Sequence, residues 1–597
     1  MNSTTQKRVC IIGGGASGIT AIKQLLDEGH VPVCFERSAD MGGVFNYKKD
    51  QDSAVESGLV NGVYKNTVLT ISNYLMCFSD LPPTGRRRHW HHTEYRQYLS
   101  DYIDKFNLAP HINLQHTVTK VVPVNQGTNG YQVTVQDPNG AEQVQQFDAL
   151  AVCSGTHQIA NIPNIKGLES FAGKISHGSQ YNTSDMAKGK RVLCVGLGES
   201  SADITREISE TADECHLALR SYPFLIPRNL NHSSSDAWTS RLHHDYHTPK
   251  HESAISYLML LLYYLLLRPF LFKRDRAKMD SFDQDTSQNM LDLNTPGSTE
   301  NVKLIKAWNY LSKGRRFATK NVTFVPNIIN GKIQVNASGI DRFTAHQVIF
   351  NDGTRKDIDL VMFATGYKEN FDFIEGFQLK DNNVRNLFMN SIPTDLHNCA
   401  FIGWARPVTG GIPACSEMAA RYFALLVSGK RKIPADAQQR IAADQKFYHE
   451  FYSKNSPTLN TVVGWKRHLE NLAELIGCQV HTARYILQPG LFVRLFAGSL
   501  VPSQYRLEGP HAMPDSAARS IREIPITLPS SHILYGIKMN LSNKFKFLRQ
   551  RALARKTNLD YSEFFSEWFR FDIPLTLKDI HRFSFRADDF NKKFNKL

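Results

Sequence analysis

Two glycine-rich turns, each placed between an apolar run and a segment of helical periodicity, constrain the fold of this chain more than any other feature. The first turn, Gly13 to Gly18, follows the apolar run 9–12. The second turn begins at Gly196 and follows the run 191–195. A strand, a glycine turn and a helix together open a βαβ unit that binds a dinucleotide pyrophosphate at the helix N-terminus. The sequence therefore predicts an α/β fold with two Rossmann-like dinucleotide-binding domains.

The first glycine turn has the flanking residues that an FAD site needs. It has the form GxGxxG, and Glu36 ends the next strand, where a carboxylate accepts hydrogen bonds from ribose hydroxyls. The double glycine 42–43 permits close backbone approach to a bulky ligand, which favours FAD over a nicotinamide nucleotide. The residues predicted to bind FAD are Gly13, Gly14, Gly15, Ala16, Ser17, Gly18, Glu36, Val44 and Phe45.

The second glycine turn differs from the first at two positions that bear on the ligand. Ser201 replaces the third glycine, and the strand that follows ends in Arg220-Ser221 rather than in an acid. Arginine pairs bidentately with a 2′-phosphate, whereas a carboxylate would repel it, so we predict NADPH rather than NADH. The residues predicted to bind NADPH are Gly196, Gly198, Ser200, Ser201, Ala202, Asp203, Arg220 and Ser221.

An internal repeat supports two similar domains. Residues 148–155 (DALAVCSG) match residues 359–366 (DLVMFATG) in form, and each segment follows a hairpin-turn sequence. We expect the second domain to be inserted in the first, each with a small β-hairpin layer. The predicted division is residues 1–184 for the first part of the FAD domain, 185–345 for the NADPH domain with an insertion near 230–300, 346–525 for the second part of the FAD domain, and 526–597 for a C-terminal extension.

Composition narrows the class of protein further. The nine cysteines form no CxxC pair, which argues against a disulfide reductase and for a reduced, cytoplasmic protein. The histidines of 230–251 lack a regular metal-ligand spacing, so we predict no metal site there. We also expect no nucleic-acid partner, and no pattern in the sequence sets the oligomeric state.

Two segments bear on membrane contact. The apolar run 255–267 has 13 residues and is followed by Arg268-Pro269, which we expect to close it. A spanning helix needs about 20 residues, so the run predicts a buried or interfacial helix. The basic stretch 544–556 fits either a solvated helix face or reversible contact with anionic lipid.

The stretch between the two domains carries a family resemblance. Residues 171–181 (FAGKISHGSQY) fit FxGxxxHxxxY, and the chain here resembles the flavin-containing monooxygenase family of class B FAD- and NADPH-dependent monooxygenases. Further segments resemble blocks of that family in the same order: 364–367 (ATGY), 400–404 (AFIGW), 410–412 (GGI) with Glu417, and 503–510 (SQYRLEGP). The resemblance covers roughly residues 8 to 525 and implies that His177 supports the NADPH site.

The resemblance implies an activity like that of N,N-dimethylaniline monooxygenase. In this family, NADPH reduces FAD, the reduced FAD takes O2 to form a C4a-hydroperoxide, and a small nucleophile, an amine nitrogen or a sulfide, takes one oxygen atom. An asparagine of the family lies beside the flavin and nicotinamide, and a gap-free alignment puts Thr70 in its place, with Asn73 one turn later. We therefore predict Thr70 as the catalytic and cofactor-contacting residue and Asn73 as its helper.

Three alternatives stay open. A Baeyer–Villiger enzyme is the first, although the resemblance puts tryptophan where Tyr181 stands in the commonest type of that class. An uncoupled NADPH oxidase that releases peroxide is the second, because threonine lacks the paired donor and acceptor of an amide. A non-catalytic scaffold that retains the fold is the third, and the intact glycines with Glu36 and Arg220 argue against it.

Overall fold

The computed structural model describes residues 6–47, 62–230, 233–244, 254–280, 298–312, 318–451, 461–528, 530, 532–542 and 545 of the 597-residue chain. For residues 271–280 it describes the backbone alone. Much of the predicted insertion 230–300, most of the basic stretch 544–556 and most of the extension 526–597 lie outside the described residues.

A five-stranded parallel sheet forms the centre of the first domain. Four of its strands are largely buried apolar runs, as expected for a parallel sheet covered on both faces, and the edge strand 112–114 is half-buried. Every pairing in it is parallel. In spatial order the strands are β24 (Cys399–Phe401), β9 (Ala149–Val152), β1 (Arg8–Ile12), β2 (Val31–Glu36) and β5 (Ile112–Leu114).

A second five-stranded parallel sheet forms the centre of the second domain. It also contains only parallel pairings. In spatial order its strands are β11 (Lys174–His177), β22 (Leu360–Phe363), β12 (Arg191–Val195), β13 (Glu214–Ala218) and β18 (Gln334–Asn336). The predicted fold class, with two Rossmann-like domains, is confirmed.

The internal repeat corresponds to one structural device used twice. The backbone N–H of Asp148 donates to the carbonyl of Arg8 (2.8 Å), and its Oδ2 accepts from the Arg8 N–H (2.7 Å). Asp359 makes the same two bonds with Arg191, each 2.9 Å long. Each aspartate thus aligns the returning strand beside the strand that leads into its glycine turn.

Antiparallel strands form the small hairpin layers predicted for each domain. One layer is β6 (Thr117–Pro123), β7 (Tyr131–Gln136) and β8 (Glu142–Phe147), and the other is β19 (Ile340–Phe343), β20 (Gln347–Phe350) and β21 (Arg355–Asp357). The remaining strands pair in twos: β3 (Val68–Ser72) with β4 (His89–His91), β10 (Ile159–Ala160) with β23 (Tyr367–Lys368), β14 (Phe224–Leu225) with β17 (Ala318–Thr319), β15 (Asn229–Leu230) with β16 (Ser233–Ser234), and β25 (Arg406–Pro407) with β26 (Val462–Val463).

Sheet membership departs from the predicted domain boundaries at two places. Strand β11 was assigned to the first domain, and strands β20 to β22 to the second part of that domain, yet β11 and β22 pair inside the second sheet. The reason is that a returning strand pairs beside the glycine-turn strand of its own domain, however far away it lies in sequence. The sheet pairings therefore favour domain boundaries near residues 170 and 366 over the predicted boundaries after residues 184 and 345.

Helices pack against both sheets. Helices α1 (Ala16–Asp27) and α9 (Ile412–Val427) pack together over the first sheet. The helices are α1 (Ala16–Asp27), α2 (Asn73–Met76), α3 (His92–Lys105), α4 (Glu199–Ser209), α5 (Arg241–His244), α6 (Ala254–Asp280), α7 (Ser298–Leu311), α8 (Val325–Ile329), α9 (Ile412–Val427), α10 (Ala437–Phe451), α11 (Trp465–Ile476), α12 (Pro489–Ala497) and α13 (Pro514–Glu523).

Two of the family-like segments meet Asp80 in one buried ionic cluster. The Arg506 guanidinium bonds to Asp80 (3.0 Å) and to Glu417 (2.8 Å), and all three side chains are buried. Its Nε also donates to Ser79. Paired charges of this kind keep one another satisfied away from water. The cluster ties the late block 503–510 to the segment that carries Thr70 and α2.

The apolar run 255–267 lies in helix α6, and one of its faces is exposed. Tyr257, Leu260 and Tyr264 pack in a core with residues of α12. Leucines and other apolar side chains on the opposite face reach solvent: Ile255 (67%), Leu258 (52%), Leu262 (48%), Leu265 (54%), Leu266 (61%) and Phe270 (75%). In the part of the chain that the structure describes, no helix is long and apolar enough to cross a bilayer.

Helix α6 does not end where the sequence predicted. Pro269 lies inside it, and the helix continues to Asp280. A proline removes one backbone hydrogen bond, to the carbonyl four residues earlier. That carbonyl belongs to Leu265, a residue that is 54% exposed, so water can take the place of the lost donor.

Candidate active site

The first glycine turn forms a cradle whose third glycine is required by the packing of helix on strand. A Cβ at Gly18 would come within 1.9 Å of the Gly13 carbonyl oxygen. A Cβ at Gly15 would meet only the Gly43 backbone, at 3.6 Å from its Cα, which is an ordinary contact. The protein thus leaves open the side of the turn where a pyrophosphate would approach, at the N-terminus of α1.

Glu36 sits at the end of β2 and faces the same turn. Its Oε2 accepts from the Gly14 N–H (2.6 Å), and its Oε1 accepts from the Ser38 N–H (2.8 Å). A carboxylate has room for about four hydrogen bonds, so two remain for ribose hydroxyls. Val44 and Phe45 are half-buried beside the turn, and the Phe45 ring packs edge-on against Tyr95. The residues of the first cradle fit a bound dinucleotide.

The second glycine turn achieves the same geometry with a serine in third place. Ser201 Oγ donates to the Gly196 carbonyl oxygen at 2.6 Å, so the side chain bonds to the turn. A Cβ at Gly198 would meet nothing within 4 Å, and α4 begins directly after it. The open space at a helix N-terminus fits a second dinucleotide.

Arg220 lies just beyond the end of β13, as predicted, and is exposed. Its side chain makes no hydrogen bond or ion pair to any residue in the described ranges. The guanidinium therefore has all its donors available for a phosphate. Ser221 follows it and is half-buried.

Two of the residues predicted to bind NADPH point into the protein. Ala202 is fully buried, and the Asp203 carboxylate accepts from Arg228 (2.7 Å) and from the Tyr64 hydroxyl (2.9 Å). Ser200 is exposed on the first turn of α4. Asp203 on α4 thus bonds to Arg228 and to Tyr64, which precedes β3. Ser200 stays accessible to a ligand, as Arg220 does.

Thr70 lies at the contact between the two domains. It is half-buried on β3, and its Oγ1 donates to Oε2 of Glu199, the first residue of α4, at 2.5 Å. The nearby Ser72 N–H donates to Asp236 at 2.6 Å, which adds a second bond across the same contact. Thr70 therefore lies directly against the second cradle.

Asn73 does not share this position. Its side chain is buried, its Nδ2 donates to the Arg86 carbonyl (2.9 Å), and its Oδ1 accepts from the N–H groups of Tyr74 (2.9 Å) and Arg88 (3.2 Å). The bonds to Arg86 and Arg88 hold the turn that precedes β4, and the bond from Tyr74 lies within α2. The amide is thus engaged locally and is not brought beside Thr70.

Two residues of the family fingerprint are structural. The two nitrogens of the buried His177 ring contact Ser179 Oγ and the Gly366 carbonyl, each at 3.0 Å. The ring therefore links the two chain segments that follow strands β11 and β22. The Tyr181 hydroxyl donates to Glu207 at 2.7 Å. Burial, with the neighbouring Glu207 carboxylate, raises the pKa of Tyr181, so the phenol stays protonated.

Sequence reasoning missed two charged residues at the domain contact. Glu199 follows Gly198 directly, and an acid beside a pyrophosphate-binding turn is a signal that could have been noticed. Lys320 follows β17, whose Thr319 hydroxyl donates to the Leu197 carbonyl at 3.2 Å. No local pattern distinguishes Lys320, because its position depends on contacts with a turn more than a hundred residues earlier.

Comparison with known proteins agrees with this architecture. The family model described as flavin-binding monooxygenase-like matches residues 6–242 and 299–523. The chain is 36% identical to a 4-hydroxybenzoate brominase (decarboxylating) of Marinomonas mediterranea, over 87% of this chain and 93% of that protein. It is 31% identical to flavin-containing monooxygenase 5 of mouse, over 85% and 89% of the two chains. It is also 31% identical to dimethylaniline monooxygenase [N-oxide-forming] 2 of Macaca mulatta, over 84% and 89%.

A solved structure shares the fold. The S-allyl-L-cysteine S-oxygenase from Allium sativum matches with a TM-score of 0.54 and 19% identity, over 90% of this chain and 99% of that one. The chain belongs to the flavin-binding monooxygenase-like family and is an NADPH-dependent flavin monooxygenase whose cofactors are FAD and NADPH.

Proposed function

We propose that the enzyme transfers one oxygen atom of O2 to a soft nucleophile: an amine nitrogen, a sulfide or a halide ion. The observation that carries the proposal is the chain's similarity, over most of its length, to proteins named for N-oxide formation and for bromination. N-oxide formation and the oxidation of bromide both need an electron-rich partner that meets an electrophilic oxygen. One type of oxygen delivery therefore serves both kinds of relative.

In the proposed reaction the protein's own residues bind and orient the two cofactors and the substrate. Bound FAD, reduced by NADPH, supplies the activation of O2. The open sides of Gly15 and Gly198 admit the two pyrophosphates, and the unpaired Arg220 recognises the 2′-phosphate of NADPH. Thr70 and Glu199 form the polar wall where the domains meet. The substrate then needs a pocket that excludes water rather than an acid or base.

A second candidate function is an NADPH oxidase that releases hydrogen peroxide. The observation that favours it is the Thr70 hydroxyl, whose single donor is used on Glu199. Because this donor bonds to Glu199, the Thr70 side chain has no second N–H or O–H with which to hold a reactive oxygen species. Ketone oxygenation is a third candidate, and the tyrosine at position 181 argues against it.

A coupled assay separates these functions. NADPH consumption and hydrogen peroxide release are measured with purified holoenzyme, alone and with an amine, a sulfide, bromide plus 4-hydroxybenzoate, and a ketone. Oxygen transfer predicts that one of the first three lowers peroxide release. An amine or sulfide product then carries isotope from labelled O2, whereas bromide gives a brominated product and its oxygen atom leaves as water. Full recovery of the consumed NADPH as peroxide with every compound supports the oxidase and contradicts oxygen transfer.

We also propose that this enzyme is cytoplasmic and contacts a membrane surface reversibly through α6. The exposed side chains of α6 form one stripe that begins at Ile255 and ends at Phe270, with the exposed Arg268 beside its end. An apolar stripe with a basic neighbour suits a helix that lies in the plane of an anionic bilayer. The opposite face is anchored in the core, so α6 would lie on the lipid rather than cross it.

Vesicle flotation tests this contact. Wild-type enzyme is expected to float with vesicles of phosphatidylcholine and phosphatidylserine, and Leu258→Glu with Leu262→Glu is expected to stay at the bottom of the gradient. Val144→Glu, at an apolar side chain that is 64% exposed on a hairpin layer, is the matched control. No flotation of the wild type, or equal flotation of all variants, contradicts the proposal.

A further inference from the structure

Lys320 is a buried cation without a partner at the domain contact. Its side chain is 6% exposed, and its Nζ makes no hydrogen bond or ion pair with any residue of the described ranges. Burial of an unpaired ammonium is costly, and cations in such places are normally paired. Burial lowers the pKa of Lys320, in agreement with this position. The residue is built to meet a group that does not belong to this part of the chain.

The neighbours of Lys320 place it against the reaction cleft. Thr319, the preceding residue, bonds to the Leu197 carbonyl of the second glycine turn, and Glu199 begins the helix that follows this turn. Glu199 itself accepts the hydrogen bond from Thr70. Lys320 therefore lies on the second-domain side of the wall that Thr70 and Glu199 form.

The nearby charges do not neutralise Lys320. Asp236 is occupied by Arg87 (3.3 Å) and by the Ser72 N–H (2.6 Å). Neither Asp236 nor Glu199 forms an ion pair with Lys320 in the described ranges, so the Lys320 ammonium keeps its donors for a small anion or an anionic group of a ligand.

We propose that Lys320 binds the anionic part of the substrate, a halide ion or a carboxylate, beside Thr70. The proposal deepens the proposed function and rests on it for the statement that the bound anion belongs to a substrate. A halide would be held as the nucleophile itself, whereas a carboxylate would orient a larger substrate. The shared chemistry is a negative charge that pairs with the Lys320 ammonium. The coenzyme's 2′-phosphate has its own partner in Arg220, at the far end of β13.

The test measures anion binding separately from turnover. Sodium bromide and sodium benzoate are titrated into holoenzyme saturated with NADP+, and the perturbation of the flavin spectrum gives a Kd for each. Lys320→Met is expected to weaken binding of one or both anions by about 10- to 100-fold, the size of a lost hydrogen bond to a charged group. Lys320→Arg is expected to restore most of the affinity. Lys332→Met, at an exposed lysine of the same domain, is the matched control.

The location is tested by bromide-soaked crystals, in which the anomalous signal of bromide is expected at hydrogen-bond distance from Nζ. If Lys320→Met loses affinity for bromide alone, Lys320 forms a halide site. If it loses affinity for benzoate alone, Lys320 forms a carboxylate site. Weaker NADP+ binding in Lys320→Met with unchanged anion binding makes Lys320 a coenzyme ligand and overturns the proposal. No anion binding to the wild type also overturns it. Anion binding that depends on Lys320, with no oxygen transfer to any compound, contradicts the proposed function and leaves the anion site standing.

Discussion

The two dinucleotide-binding domains share one strand–turn–helix frame and differ in the side chains expected to contact the ligand. Asp148 and Asp359 fix the returning strand in the same way, through paired bonds to Arg8 and Arg191. The frames diverge at the third position of the turn and at the end of the following strand. From this comparison we propose that the strand–turn–helix frame determines where a pyrophosphate can lie, while two or three side chains at its edge determine which dinucleotide is bound.

The third position of the turn gives the largest expected effect. Gly18→Ala should destabilise the first domain by about 3 kcal/mol, at the upper end of overpacking costs, because the new Cβ meets a backbone oxygen at 1.9 Å. Thermal unfolding of the purified protein measures it. A variant with unchanged melting temperature would break the comparison, since the two turns would then tolerate side chains equally.

Gly15→Ala is the matched change at the open side of the same turn. The new Cβ makes only an ordinary contact, at 3.6 Å from Gly43, so the protein should fold. The methyl group occupies the space of the pyrophosphate, and the purified protein should be colourless. Flavin absorbance per chain and a melting curve measure both parts. A stable, fully flavin-loaded variant would place FAD elsewhere.

Arg220, just beyond the end of β13, tests whether the strand end determines the choice between NADPH and NADH. Arg220→Ala should reduce the preference for NADPH over NADH by about 10- to 100-fold in kcat/KM, the value of a lost charge-assisted contact. Arg355→Ala, at another exposed arginine of the second domain, should leave the preference unchanged. Equal ratios in the wild type and Arg220→Ala would show that Arg220 does not contact the phosphate.

Thr70 should have a smaller effect, of about two- to tenfold in the fraction of NADPH lost as peroxide. Thr70→Asn adds a second donor and should lower that fraction, whereas Thr70→Ala removes the hydroxyl and should raise it. Thr119→Ala is the control, because Thr119 also donates to a glutamate, Glu142 at 3.2 Å, but on the exposed hairpin layer. If neither Thr70 variant changes the peroxide fraction, Thr70 does not touch the oxygen chemistry.

The serine of the second turn should give the smallest effect. Ser201→Ala removes one hydrogen bond to the Gly196 carbonyl and should cost about 1 kcal/mol of stability. Its flavin content should stay unchanged, because the residue belongs to the second domain. Loss of FAD from this variant would mean that the two turns are coupled rather than independent.

The sequence was sufficient to predict the frame and the edges of both sites. The glycine spacing and the positions of Glu36 and Arg220 are set by the local strand–turn–helix geometry and are visible in the sequence, so they predict the fold and both cofactors. The surroundings of Thr70 could not, because Glu199 lies 129 residues away in the chain. Asn73 illustrates the same limit: it lies three residues after Thr70 in sequence, but strand β3 ends between them and its amide bonds to the 86–88 turn.

The central claim, that the first cradle holds FAD and the second holds NADPH, is tested most directly by anaerobic reduction of the flavin with NADPH. Wild-type enzyme should bleach fully with one equivalent of NADPH. Gly198→Ala should fold and keep its flavin, because its new Cβ meets no protein atom within 4 Å, yet should bleach only at a much higher NADPH concentration. A Gly198→Ala variant that is colourless, or that bleaches at the wild-type concentration, would contradict the assignment of the two cradles.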